Sequence, residues 1–171
     1  MVRGRWGLLV LLALAGCGTP QAPRHAGIPG YGAHREISCV PYARARSGIE
    51  IRGDAWQWWD AAAGRYIRTR SPQAGSVLVM ARTSRLPSGH VAVVSRVVSA
   101  REIRVDHANW GSSSVGGSTR GRVAEGQPVL DVSPGNDWSV VRVWYPRIDG
   151  YGNTAFAAHG FILPRLDTAA R

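Results

Sequence analysis

Apolar and polar positions change their rhythm once along this chain. From His90 to Val98 a run of β-branched residues is apolar on both faces in its first half, as in a strand covered on two sides. Ser99 to Glu102 is a tight connection, and Ile103 to Asn109 alternates as the return strand. Val129 to Val132 and Trp138 to Tyr145 supply two more strands, with Trp138 and Trp144 expected on one core-facing side. Phe161-Ile162-Leu163 is expected as a last edge strand. Upstream the pattern favours short helices. Ser38 suits an N-cap, Pro41 falls in the first turn where its missing N–H is harmless, and Gly48 suits the position after the last turn. Cys39 then sits in the first turn of that helix. A second helix is expected from Asp54 to Ala63 with Gly64 as its stop, followed by a turn at Pro72–Gly75 and a strand over Ser76–Ala81. Helices followed by an antiparallel sheet define an α+β class.

The first residues follow a different logic. Arg3 and Arg5 precede an apolar run from Gly7 to Ala15, the layout of a secretory signal. The run is shorter than the roughly 20 apolar residues that span a bilayer. Leu14-Ala15-Gly16-Cys17 resembles the bacterial lipobox, which implies cleavage before Cys17 and a lipid on its sulfur. Residues 17–35, rich in Gly and Pro, read as a tether whose coil would span about 25 Å. The expected organisation is therefore 1–16 signal peptide, 17–35 lipidated Cys17 and tether, 36–163 one domain, and 164–171 a tail. An exported, membrane-anchored protein facing the periplasm or cell wall follows from it.

Composition sharpens this picture. The 171 residues carry 21 basic side chains, all Arg, against 11 acidic ones. That length fits one domain of ordinary size, and we expect a monomer. The Arg residues are scattered through every segment and the chain is exported, which argues against a nucleic-acid partner. Anionic headgroups or wall carboxylates fit better. Two cysteines exclude a disulfide scaffold and, with Cys17 used as an anchor, leave Cys39 alone in an oxidising compartment.

A lone thiol at a helix start feels the positive end of the helix dipole, which lowers its pKa. Nucleophilic chemistry further needs a base and a group that orients it. His90 opens a strand directly after Gly89, a residue that allows another backbone to approach closely. On the return strand Ile103, Val105, His107 and Asn109 share one face, and Arg104, Asp106 and Ala108 the other. A turn centred between Ala100 and Arg101 puts His90 on the face of His107, with Asn109 as its diagonal neighbour. A register slip of two residues would bring His107 closer, and a slip of one would separate the two imidazoles. Asp106 is expected to point away, pairing near Arg104.

The motifs Ser38-Cys39-Val40-Pro41-Tyr42-Ala43-Arg44, Gly53-Asp54-Ala55-Trp56, Pro72 to Val79, Gly89-His90-Val91-Ala92-Val93-Val94 and Ala108-Asn109-Trp110 resemble those of CHAP domains, the cysteine, histidine-dependent amidohydrolases/peptidases. The resemblance runs from Ile37 to Tyr145. It implies a papain-like fold with short N-terminal helices packed on an antiparallel sheet, and hydrolysis of amide bonds in peptidoglycan, either N-acetylmuramoyl-L-alanine or peptide bonds. It implies Cys39 as nucleophile and His90 as base. His107 and Asn109 match a pair that often reads Glu-x-Asn, so the orienting residue is His107 or, ranked just behind it, Asn109. Trp110 is expected to contact substrate. We expect no metal and no cofactor. The rival reading is a non-catalytic wall-binding lipoprotein that uses the same fold as a docking surface.

Overall fold

The computed structural model describes residues 37–111, 121–145 and 148–164. The expected signal peptide, Cys17 and tether lie outside the described residues, as do most of the Ser/Gly loop after Gly111 and positions 165–171 of the tail.

The helical readings hold in outline. Helix α1 spans Cys39–Ser47, with Ser38 in an extended conformation at its N-cap and Gly48 left-handed (φ 72°) at its end, although the Ser38 side chain makes no capping bond. The second helix is shorter than expected: a 3-10 turn at Ala55–Gln57 leads into one α turn, α2, at Trp58–Ala61. The strands are β1 (Ile67–Thr69), β2 (Val77–Met80), β3 (His90–Val97), β4 (Glu102–Ala108), β5 (Val123–Asp131), β6 (Val140–Tyr145), β7 (Gly150–Tyr151) and β8 (Phe156–Leu163).

The architecture differs from the papain-like α+β expectation. The order is β1-β8-β2-β3-β4-β5-β6-β7, and an additional β8–β6 pairing closes six of these strands into a barrel. The protein is mostly β, with two short helices outside the barrel. The discrepancy arises in β8. Its apolar end, Phe161 to Leu163, suggests an edge, but the strand begins at Phe156 and lies inside the sheet. Its second half pairs with β2 and β1, and Phe156 and Ala157 pair with β6. Full closure removes edges that an open sheet would expose. Gly160 (φ 126°) permits the path, since a Cβ there would lie 2.5 Å from the Thr69 carbonyl oxygen.

Closure gives the barrel strands two buried faces. Leu78, Met80, Ala92, Val94, Ile103, Val105 and Phe161 fill the interior. Val77, Val79, Val91, Val93 and Ile162 face outward against Ala43, Ile49, Ile51 and the fully buried Trp58. Hence β2 and the first half of β3 are apolar at successive positions. Trp138 and Trp144 do not share a strand face. Trp138 precedes β6 with a positive φ of 60° and enters the core, whereas Trp144 is half-buried against Tyr151.

The β3–β4 register decides the site. Near the turn Val97 opposes Ile103 and Arg96 opposes Arg104, one residue away from the expected pairing. Continued unchanged, that slip would put His90 and His107 on opposite faces. A bulge between Val94 and Arg96 takes up one further residue, so that Val94 opposes Val105 and Val93 opposes Asp106. Together the two shifts restore parity and make His107 the diagonal neighbour of His90.

On the outer face Asp106 is buried and points away from His107, as expected, but its partners are different. Its Oδ2 lies 3.4 Å from Arg46 of α1 and its Oδ1 accepts the Gly126 N–H at 2.8 Å, while Arg104 pairs with Glu102 at 2.8 Å. Asp106 thus ties the helix that begins at Cys39 to the strand that carries His107.

Gly89, at φ 66°, passes so close to its neighbours that a Cβ would lie 2.7 Å from the Trp56 nitrogen and 2.9 Å from the Met80 oxygen. Gly64 has a similar φ of 68° with open space around it. Gly64→Ala should cost about 1 kcal/mol of stability from backbone strain alone. Gly89→Ala should cost at least about 2–3 kcal/mol because rigid backbone must also move. Urea denaturation of both variants measures the difference, and equal losses would contradict the close approach.

Candidate active site

The sequence-expected residues converge on one cavity of about 920 Å³. Cys39, His90, Asn109 and Trp110 all line it. Cys39 comes from the first turn of α1, and Pro41 and Asp54 stand on the same wall. The sulfur has the backbone N–H groups of Val91, Val40 and Cys39 itself as hydrogen-bond donors. Val91 directly follows His90, so one short stretch of β3 supplies both a contact for the sulfur and an imidazole on the same cavity.

His90 Nε2 and His107 Nδ1 are 3.0 Å apart, a hydrogen bond between two buried imidazoles. The rings stand nearly perpendicular, 83° between planes. Trp110 covers both, with centroids 4.7 Å from His90 and 5.6 Å from His107, and rests in turn against Phe156 at 5.2 Å. Of the two candidate orienting residues, His107 therefore engages His90. Asn109 lies just beyond β4 with φ 60°, and its Oδ1 accepts the Gly121 N–H at 3.0 Å. It shapes the cavity rim and the start of the following loop.

The electrostatics depart from the expectation of a helix-activated thiolate. Burial pushes the Cys39 thiol up from its ordinary 9.0, outweighing the three amides that would favour the anion. Burial first, and then the proximity of His107, hold His90 well below the usual imidazole value of 6.5. Burial lowers His107 to about 4. At neutral pH the resting site therefore holds a protonated thiol and two neutral imidazoles.

Neutrality constrains the tautomers. One bonded nitrogen donates and the other accepts. If His90 Nε2 donates, its Nδ1 is a bare base and the His107 proton resides on Nε2. That His107 Nε2 is buried and has no hydrogen-bond partner. A partnerless buried donor costs about 1–3 kcal/mol, which the rest of the fold must offset.

Two contributors were not apparent from the sequence. The Val91 amide has no side-chain signature, and Phe156 reaches Trp110 only because the barrel closes on β8. Among the other tryptophans, Trp58 is core, Trp59 stacks on His159, and Trp56 lies beneath Arg82.

Depressed imidazole pKa values make stability depend on pH. The unfolded chain binds these protons near pH 6.5 and the folded chain does not, so stability is fully present above 6.5 and falls as pH decreases toward the folded values. For His107, with a folded value of about 4, the loss should reach on the order of 3 kcal/mol by pH 4. Urea midpoints of the natural protein and His107→Phe at pH 7 and pH 4.5 test this. A variant as acid-sensitive as the parent would exclude His107 as a source.

No curated protein matches the chain. Residues 29–109 match the CHAP domain family model, a stretch that includes Cys39, His90, His107 and Asn109. CHAP domains are associated with peptidoglycan and are usually cysteine- and histidine-dependent amidohydrolases. The stretch from 29 to 109 is thus what this chain has in common with CHAP domains.

Proposed function

We propose that this protein is a lipid-anchored cell-wall hydrolase that cleaves amide bonds of peptidoglycan with Cys39 as nucleophile and His90 as general base. The observation that carries this reading is the hydrogen bond from His90, which lines the cavity with Cys39, to the fully buried His107. With Nε2 engaged, His90 Nδ1 remains for the thiol.

The reaction starts from the neutral pair. As the sulfur approaches the amide carbonyl carbon, the thiol proton moves to His90 Nδ1 and a C–S bond forms. Donors for the resulting oxyanion are available at the start of α1, where the Cys39 N–H has no intrahelical partner. His90 then passes its proton to the amide nitrogen, and the C–N bond breaks to release an amine. Water attacks the thioester, giving up one proton to His90, and the C–S bond breaks to restore the thiol and leave a carboxylic acid.

His107 is the positioning residue in this scheme. A neutral imidazole accepts the His90 N–H as a carboxylate would, but it adds no full negative charge to stabilise the imidazolium. The same neutrality, and the raised thiol, suit the rival reading of a non-catalytic wall-binding lipoprotein.

Incubation of purified protein with isolated peptidoglycan separates the two readings. Cys39→Ala and His90→Ala should each reduce released fragments by at least about 10³-fold. No release by the natural protein, or equal release by the variants, would refute catalysis. The acid limb of the kcat/KM profile should lie below pH 6.5, because burial keeps His90 neutral. His107→Glu should move that limb to higher pH, since a carboxylate favours the imidazolium. An unmoved limb would remove His107 from the positioning role.

A further inference from the structure

A second cleft, of about 450 Å³, lies on the outer face of β4, β5 and β6 and shares no lining residue with the Cys39 cavity. Strand alternation separates the two. Val143 and Tyr145 line the Cys39 cavity, whereas Trp144 between them lines the second cleft. Likewise Arg104 and Glu102 turn to the face opposite His107. We propose that this cleft is a non-catalytic saccharide subsite, with Trp144 and Tyr151 as the aromatic platform and Arg104, Glu102 and Gln127 as hydrogen-bonding groups.

The lining selects the ligand class. The Trp144 and Tyr151 rings meet edge to face at 5.4 Å and 87°, and both are half-buried, leaving aromatic surface for the C–H faces of a sugar ring. Arg104 and Glu102 form a 2.8 Å ion pair with side chains about one-third exposed, a fixed donor beside a fixed acceptor. Such a pair matches hydroxyl groups, which donate and accept at once. The exposed part of the Arg104 guanidinium keeps further N–H groups beyond the one that meets Glu102, donors for a ligand oxygen. Burial and the Glu102 charge raise the Tyr151 hydroxyl pKa, keeping it a donor. Arg104 is already neutralised by Glu102, which disfavours an anionic polymer. A wholly apolar ligand would desolvate the ion pair with nothing in return. A neutral polyhydroxylated chain meets each group.

The proposal goes beyond the hydrolytic reading and needs no chemistry at Cys39. Only the choice of an N-acetylated sugar as probe rests on the wall assignment. Full-length Cys39→Ala protein, which cannot turn over, is titrated with chitotetraose while the tryptophan indole N–H signals are followed by NMR. Saturable movement of the Trp144 signal is expected, weakened at least about tenfold by Trp144→Ala, as read from the remaining shifts, and by Arg104→Gln. Arg104→Gln keeps most of the side-chain volume and decides the matter if Trp144→Ala does not fold. An unmoved Trp144 signal, movement confined to Trp110, or binding unaltered by Arg104→Gln would each overturn the subsite. Loss of hydrolysis in Cys39→Ala with cleft binding retained keeps the two assignments distinguishable.

Discussion

The site depends on a single extra residue in β3. An antiparallel pair allows only two relative parities, and the observed turn selects the one that would hold the two imidazoles apart. The bulge between Val94 and Arg96 reverses that choice. Everything chemically distinctive follows from the reversal: the 3.0 Å contact between ring nitrogens, the cover supplied by Trp110, and the assignment of His107 rather than Asn109 as the partner. Bulges near functional sites re-aim side chains, and here the re-aimed residue is His90.

Around that register the structure supplies two restraints. Asp106, one residue before His107 and on the opposite face, binds Arg46 of α1 and the Gly126 amide. The helix with Cys39 and the strand with His107 are therefore tied by a largely buried carboxylate. Gly89, one residue before His90, lets the 3-10 turn at Trp56 and the end of β2 meet the backbone. His90 and His107 are each preceded in sequence by the residue that fixes their surroundings, Gly89 by close backbone approach and Asp106 by its hold on Arg46 and Gly126.

Local signals in the sequence located α1, its Gly48 terminus, β3, β4 and the four residues of the cavity wall. Caps, alternation and a glycine before His90 have short-range causes. Closure of the barrel was not legible, because Thr154-Ala155-Phe156-Ala157-Ala158-His159-Gly160 has too little apolar alternation to announce a strand. The bulge was not legible either, since Ser95 carries no glycine-like mark. A two-residue slip favours His107 on strand parity alone, and the structure reaches that slip in two separate steps. The thiol pKa is illegible in the sequence for a different reason. A helix start suggests a lowered pKa, but the extent of burial depends on how β3 packs over α1, which no local pattern reveals.

Phe156 has a further consequence. It belongs to the two-residue seam where β8 meets β6 and shuts the barrel, and its ring also supports Trp110. Seam, indole and imidazoles thus form a continuous packed column from Phe156 through Trp110 to His90 and His107. Breathing at the seam would loosen the indole first and tilt the histidine rings with it, so the alignment of the dyad is only as steady as the last strand to join the barrel.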